Sequence, residues 1–431
     1  MHKYLSTRVG IIAVMKLEHI YQWLILGLIL LLILTISSPV AKTPTAITQR
    51  YTLPLEFDYL SWDINAFLVK LAQTGIDPWQ TLTPDQQHRL VLHYFDLVTK
   101  LEKTQASLQQ IYADPQIKDR DEAANSLLAL QEQLQEALRT LTPLAESILQ
   151  GQVGTVLAEQ NIARLGSALP PILFHTTPLP KALILSPRDK IQQEVNISLL
   201  ADLTLEQIDQ LEDQVEKATG DSALVVDVGG IGIYPTMVMR SSNLPWIIYT
   251  IAHEWTHNYL TLRPLGINYD LTPELRTMNE TTASIMGEEI SRIVLQKYYP
   301  EFVNVRTSEI LLASNSLPNG VFDFRREMHT TRVQVDELLA QGKIAEAETY
   351  MEARRILFVN HGYDIRKLNQ AYFAFYGAYA DQPGGAAGQD PVGPAVRQLR
   401  DDSESLATFL HTIAQMNSFE ELQQTLADQS N

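Results

Sequence analysis

Two histidines four positions apart stand in the segment IIYTIAHEWTHNYL, and a glutamate directly follows the first of them. On an α-helix, residues four apart lie about 5–6 Å from each other on one face. His253 and His257 can therefore direct ring nitrogens at one cation, at about 2.0–2.1 Å for zinc. The adjacent Glu254 can reach a water at that cation without ligating the cation itself. The pattern H-E-x-x-H thus predicts a zinc site with its own catalytic base.

The same five-residue pattern also arises by chance on helices whose histidines only pack or cap. In this chain the residues before the motif, PWIIYTIA, are strongly apolar, as expected of a helix that lies beneath an active-site cleft. The two intervening residues, Trp255 and Thr256, are uncharged. These features favour a metal site over a chance match.

A catalytic zinc ion takes three protein ligands and keeps one position open. The extended motif with a third histidine is excluded, because Leu260 stands in place of its glycine and Arg263 in place of its histidine. The alternative is a carboxylate from a later helix, and the segment NETTASIMGEE contains Glu280 directly after Asn279. The residues near Glu280 on the helix surface are small, which favours close approach to the metal helix: Ala283, Ser284 and Gly287.

Over about residues 247–290 the sequence resembles the gluzincins, the thermolysin-like and aminopeptidase-like metallopeptidases. In these enzymes H-E-x-x-H is followed by N-E on an antiparallel helix. The resemblance implies a zinc ion held by His253, His257 and Glu280, with Glu254 as the general base. It also implies a zincin-like fold, in which the strand before the metal helix lines the cleft and pairs with an extended peptide.

The sequence departs from the thermolysin-like pattern one turn after the ligand glutamate. Those enzymes have an aspartate there, bonded to a ligand histidine, and this chain has Ser284. Glu288 or a backbone carbonyl is then expected to orient the ring. Glu288 or Glu289 as the third ligand is the alternative to Glu280, and both otherwise belong to a solvated helix face.

Peptide hydrolysis also requires a donor for the developing oxyanion. Tyr372, Tyr376 and Tyr379 form one stripe of a helix, and His361 precedes them. We take Tyr376 and Tyr379 as candidate catalytic residues. Core packing is the alternative role of these tyrosines.

The elements around the motif predict an α+β fold that is mostly α. Helical spacing dominates before and after the motif, and strand-like segments such as ALILS and SALVV lie just before it. Residues 231–242 are predicted to form one further strand, and a helical hairpin is predicted to turn at Gly342. The predicted organisation is a membrane anchor or signal segment (1–36), a linker (37–54), a helical accessory domain (55–168), a zincin-like core (169–300) and a C-terminal helical region completing the cleft (301–431).

The N-terminus contains the uncharged run WLILGLILLLILTI, preceded by Lys3, Arg8 and Lys16. This pattern predicts a membrane anchor whose following chain lies outside the cytoplasm. A cleaved signal peptide is the alternative, because the strictly apolar run is short, and Met15 would then serve as the start.

Composition limits the remaining functions. The chain has 431 residues, a formal net charge of −17 and no cysteine, which argues against nucleic-acid partners and excludes thiolate chemistry. The sequence therefore predicts a membrane-anchored or exported zinc metallopeptidase that acts on peptides or proteins, with a helical region that binds a protein partner. A tethered helical scaffold with a vestigial metal site and a zinc hydrolase of non-peptide substrates are the alternatives.

Overall fold

The computed structural model describes residues 43–73, 78–113, 116–162, 168–303, 322–378, 388 and 390–429, and all structural statements below refer to these residues. They form a mostly helical α+β structure, which confirms the predicted fold class at this level. Tyr379 and the apolar run at 23–36 lie outside the described residues.

Long helices occupy both sides of two small sheets. The helices are α1 (Pro44–Thr52), α2 (Tyr59–Gln73), α3 (Pro78–Thr81), α4 (Pro84–Ala113), α5 (Arg120–Glu159), α6 (Leu205–Thr219), α7 (Leu244–Leu260), α8 (Pro264–Ile267), α9 (Pro273–Tyr298), α10 (Phe324–Ala340), α11 (Ile344–Asn360), α12 (Gln370–Tyr376), α13 (Val392–Asp402), α14 (Leu406–Ile413) and α15 (Phe419–Gln429). The strands are β1 (Phe174–Thr176), β2 (Lys181–Ser186), β3 (Val195–Leu199), β4 (Ser222–Val226), β5 (Gly230–Ile231) and β6 (Thr236–Val238).

The strands form two three-stranded sheets. Strands β3, β2 and β4 make an antiparallel sheet in that order, and β1, β6 and β5 make a mixed sheet, with β1 and β6 parallel. The single strand predicted at 231–242 is wrong, because the chain turns at Tyr234–Pro235 and forms β5 and β6 as an antiparallel pair. Proline has no N–H to continue a ladder, which explains the interruption.

The helix that carries the H-E-x-x-H motif, α7, begins at Asn243, whose side chain accepts from the N–H of Trp246 at 3.0 Å. The second helix, α9, begins in the same way at Thr272, with Pro273 in its first turn. The two helices pack directly against each other over much of their length. At Gly287 the contact is so close that an added Cβ would lie 2.8 Å from the ring of Tyr249. The small residue predicted there therefore permits the close approach.

One apolar core contains residues from both sides of residue 168. It joins Val91 of α4, Ile148 of α5, Trp255 of α7, Met286 of α9 and Leu422 of α15. The long hairpin of α4 and α5 therefore shares its core with the two motif helices. The predicted boundary at residue 168 therefore falls within a shared core, and the division into domains stays a prediction.

The linker predicted at 37–54 is wrong over residues 44–52, because the structure forms a helix there. Thr43 caps a helix by accepting from the N–H of Ala46, and Pro44 occupies its first turn. Proline is favoured at that position because its missing N–H would have no partner there. Thr48 and Thr52 are buried where α1 packs on α6. The Thr-Pro sequence that indicated a tether is thus a helix start.

The predicted membrane attachment also requires correction. Within the described part of the chain, no helix has both the length and the apolar character that crossing a bilayer requires.

A buried ion pair ties the N-terminal helices to the mixed sheet. Lys70 of α2 donates to Glu146 of α5, and both side chains are buried. Glu146 also accepts from the N–H of Thr176 at 2.6 Å and lies 3.2 Å from Nδ1 of His175. Burial opposes ionisation of Glu146, but Lys70 and His175 outweigh it and lower its pKa to about 2.

We expect Glu146→Gln to destabilise the protein by about 3–5 kcal/mol at pH 7, because it leaves the ammonium of Lys70 buried without a counter-charge. The pKa of Glu146 is lowered from 4.5 to about 2. Its stabilising contribution is therefore complete above pH 4.5 and is lost as the pH falls toward 2. Urea unfolding at several pH values measures this effect, and the difference between the two proteins must shrink on acidification.

The matched control removes both charges at once. Lys70→Met with Glu146→Leu is expected to recover most of the lost stability, because neither partner is left unpaired. A Glu146→Gln variant that costs less than about 1 kcal/mol at pH 7 would contradict a stabilising role for the pair.

Candidate metal centre

The structure brings the three predicted ligands together. Nε2 of His253 and Nε2 of His257 lie 3.2 Å apart. Oε2 of Glu280 lies 3.5 Å from the first of these nitrogens and 3.6 Å from the second. The two histidines lie one turn apart on α7, and Glu280 faces them from α9, as the close helix packing allows.

These distances fit a single tetrahedral cation. Two ligand atoms about 2.05 Å from one tetrahedral ion lie roughly 3.3 Å from each other. Oε2 of Glu280 is also buried and has no hydrogen-bond partner. A buried carboxylate oxygen without a partner is costly unless a cation or another donor satisfies it. The donor set of two imidazoles and one carboxylate is one that zinc accepts.

The other oxygen of Glu280 is already engaged. The hydroxyl of Tyr269 donates to Oε1, and Nε of Arg276 donates to the same hydroxyl oxygen at 3.3 Å. This chain of hydrogen bonds fixes the carboxylate so that Oε2 faces the histidines. Sequence reasoning missed Tyr269, which lies in the connection between α7 and α9, where neither helical periodicity nor the motif marks it.

Asn279 orients the second histidine. Nδ1 of His257 donates to Oδ1 of Asn279 at 2.8 Å, so Nε2 is the ring nitrogen that faces the other two ligands. The hydroxyl of Tyr249 lies 3.4 Å from Nδ1 of His253 in a similar position. The sequence predicts Glu288 or a backbone carbonyl for this role, but Glu288 is exposed. The only available signal was that Asn279 directly precedes Glu280.

The alternative third ligands lie away from the cluster. Glu289 forms an ion pair with Arg400 of α13, at 2.6 Å. Ser284, which stands in place of the expected aspartate, is buried and its hydroxyl has no hydrogen-bond partner. Neither Glu288 nor Glu289 is among the clustered groups, which are His253, His257 and Glu280 in the described part of the chain.

Glu254 lies against the backbone of β5. An added Cβ at Gly230 would lie 2.5 Å from Oε1 of Glu254, and one at Gly232 would lie 2.7 Å from Cβ of His257. Both glycines are therefore required for the strand to approach the metal helix this closely. Burial raises the pKa of Glu254, and the imidazoles of His253 and His257 partly offset this effect.

The charges of the cluster stabilise one another. Burial disfavours a charged imidazole, but the carboxylate of Glu280 outweighs burial and raises the pKa of His257 to about 9. Burial likewise opposes ionisation of Glu280, and His257 lowers its pKa well below the usual range. In the metal-free protein a proton on His257 therefore partly replaces the cation, and metal binding must displace that proton.

The cluster opens into a cavity of about 390 Å³. His253, Glu254, His257 and Glu280 form part of its wall. Further parts come from β2, β3, β5, the connection after α7, and individual residues of α2, α9 and α12. Its volume suits a few residues of a peptide chain. A neighbouring cavity of about 300 Å³ has more polar walls and shares Arg276 with the first.

Tyr376, one of the predicted oxyanion donors, lies away from the metal cluster. Tyr376 packs on Tyr372, with ring centres 4.5 Å apart, and it does not line the metal cavity, although its neighbour Phe375 does. Tyr379 lies outside the described residues. His361 stacks on Phe322 at the end of α11. Of the candidate catalytic residues that the structure describes, Glu254 alone lines the metal cavity.

Comparison of the chain with protein-family models, with curated proteins and with solved structures finds no match.

Proposed function

We propose that this protein is a zinc-dependent metallopeptidase of the gluzincin type, with a zincin-like catalytic region built from the β1–β6–β5 sheet and helices α7 and α9. One observation carries the proposal. Two imidazole nitrogens and an otherwise unpartnered carboxylate oxygen converge at 3.2–3.6 Å, beside a buried glutamate and a peptide-sized cavity.

His253, His257 and Glu280 would hold the ion. A bound Zn²⁺ supplies a Lewis acid that polarises the substrate carbonyl and acidifies the attacking water. Three protein ligands leave one position for water or substrate, as hydrolytic zinc sites require. The hydrogen bonds from Tyr269 to Glu280 and from His257 to Asn279 hold the ligands in position before the ion binds.

Glu254 is the proposed general base. It accepts a proton from the attacking water as the water oxygen bonds to the peptide carbon. It then delivers that proton to the leaving nitrogen as the C–N bond breaks. Burial raises the pKa of its carboxyl toward the working range, which favours a group that must both accept and release a proton.

Tyr269 is proposed to hold the ligand carboxylate in position. Tyr269 lines the metal cavity, and its one hydroxyl hydrogen is donated to Oε1 of Glu280. Burial, together with the nearby Glu280 carboxylate, raises the pKa of Tyr269 well above its usual value, so the hydroxyl keeps its proton. The hydrogen bond to Glu280 is therefore kept at neutral pH.

The proposed substrate is a peptide or protein segment in extended conformation. Among the described residues β5 pairs only with β6, and the backbone of Gly230, Ile231 and Gly232 lines the cavity. An extended chain can add to such a sheet edge through main-chain hydrogen bonds.

Incubation of the purified full-length chain with a quenched-fluorescence peptide library tests this function. We expect cleavage that stops after chelation and returns when zinc is added, and mass spectrometry of the products identifies the bonds that break. Stoichiometric zinc without cleavage of any peptide would instead favour a hydrolase of non-peptide substrates. Absence of zinc, with stability unchanged by chelation, would favour a non-catalytic scaffold.

We expect Asn279→Ala to weaken zinc binding by about 10–100-fold, because removal of the acceptor frees the ring and tautomer of His257. Competition with a chromophoric chelator measures the dissociation constant. Asn268→Ala is the matched control, since Asn268 pairs with Asn417 on the surface. Equal zinc affinity in the two variants would contradict the orienting role of Asn279.

A further inference from the structure

The connection between the two metal helices exposes an unusual amount of apolar surface. Leu262, Ile267 and Leu271 are 87%, 68% and 71% exposed, although all three are large aliphatic residues. Isolated exposed apolar residues are common, but a group of them on one short segment marks an interaction site.

This segment is held firmly in place. Leu265 is fully buried, its N–H donates to the carbonyl of Ala414 at 3.3 Å, and its carbonyl accepts from Nδ2 of Asn279 at 3.3 Å. The guanidinium of Arg263 lies 3.4 Å from the ring centre of Tyr259. Exposure of the three aliphatic side chains is therefore a fixed feature of the fold.

The same segment forms part of the metal cavity. Thr261, Gly266 and Tyr269 line that cavity, and Leu271 lines the neighbouring one. Leu262 and Ile267 thus directly follow cavity-lining residues in the sequence, and Leu271 lines a cavity itself. The exposed aliphatic side chains and the cavity wall therefore belong to the same short segment.

A second apolar surface adjoins a different wall of the metal cavity. Tyr59 lines this wall, and it is the first residue of α2. The outward face of α2 is apolar, with Leu60 and Ile64 more than half exposed, while its inward face carries the buried Lys70. This is the reverse of an ordinary surface helix, whose apolar face points to the core.

We propose that these residues, Leu262, Ile267, Leu271, Leu60 and Ile64, form an apolar rim that binds large apolar side chains of an extended polypeptide substrate outside the cavity. This inference rests on the proposed peptidase function and deepens it. An extended chain advances about 3.3 Å per residue, so side chains several positions from the cleaved bond reach the rim. The substrate class is then unfolded, apolar-rich polypeptide.

A polypeptide substrate accounts for the position of the rim better than a second copy of the chain. Both apolar surfaces lie on elements that line the same cavity, so a peptide bound there would lie near both. An interface between copies would require no such relation to the cavity. The net charge of −17 also disfavours acidic segments as substrates.

Binding to the Glu254→Gln full-length protein tests the rim without cleavage. The probes are two fluorescent twelve-residue peptides, one with Leu and Phe at its outer positions and one with Ser and Asn there. We expect the apolar peptide to bind about tenfold more tightly, and Leu262→Ser or Ile267→Ser to remove most of that difference. Ile356→Ser is the control, because Ile356 is exposed on α11 and lines neither cavity.

The inference is overturned if the rim variants change the ratio of the two affinities no more than Ile356→Ser does. It is also overturned if sedimentation shows a dimer that Leu262→Ser dissociates, or if vesicles alone bind the rim. Failure of the wild-type protein to cleave either peptide, with the affinity ratio intact, would refute the peptidase function and leave the apolar rim standing. Circular dichroism of each variant establishes that it is folded.

Discussion

Glu254→Gln is expected to lower kcat/KM for peptide cleavage by roughly 10²–10⁴-fold, the range that a general base contributes. Glutamine has the same shape as glutamate, so it fits against Gly230 in the same space. It cannot accept a proton from the attacking water. Glu254 is not one of the three clustered ligand groups. We therefore expect the variant and the wild type each to bind one equivalent of zinc.

The control for this substitution is Glu274→Gln. Glu274 is an exposed acid in the first turn of α9, and it lines only the neighbouring cavity. We expect its kcat/KM to stay within about twofold of the wild type, as surface substitutions usually do. Measurement of initial rates and of zinc content by mass spectrometry on the same preparations separates catalysis from metal loss. Full activity of Glu254→Gln would remove the proposed base.

Glu280→Gln is expected to weaken zinc binding by more than 100-fold. Loss of a residue that only orients a ligand costs about 10–100-fold, and Glu280 is a proposed ligand itself. The substitution also removes the charge opposite His257, so two imidazoles alone remain. Zinc should then no longer raise the melting temperature, whereas it stabilises the wild type by preferential binding to the folded state.

Glu288→Gln on the same helix is the matched control, because it changes an exposed carboxylate two turns further along α9. It also tests the alternative third ligand. Glu288→Gln should bind zinc like the wild type, and calorimetric titration of both variants measures the contrast. Zinc loss in Glu288→Gln with retention in Glu280→Gln would reverse the assignment.

Local signals in the sequence predicted the elements that hold the site. Thr272 followed by Pro273 marks the start of α9, and the structure begins the helix there. The turn predicted at Gly342 separates α10 from α11, and this glycine has a φ of 71° that other residues rarely adopt. Such features depend on neighbouring residues alone, which explains why a single sequence reveals them.

Contacts between distant segments could not be predicted in the same way. The orienting partner of His257 is Asn279 rather than Glu288, because the rotation of α9 about its axis decides which side chain faces the ring. Tyr269 reaches Glu280 from an irregular connection that has no periodicity. Tyr376 was chosen from a helical stripe, but the packing of α12 directs Phe375 to the cavity instead.

The direct test of the central claim is the position of zinc in crystals of the full-length protein, located by anomalous diffraction at the zinc absorption edge. We expect one strong peak in contact with Nε2 of His253, Nε2 of His257 and Oε2 of Glu280, at about 2.0–2.2 Å from each atom. A peak at other residues, or zinc-soaked crystals with no peak between these three groups, would contradict the account.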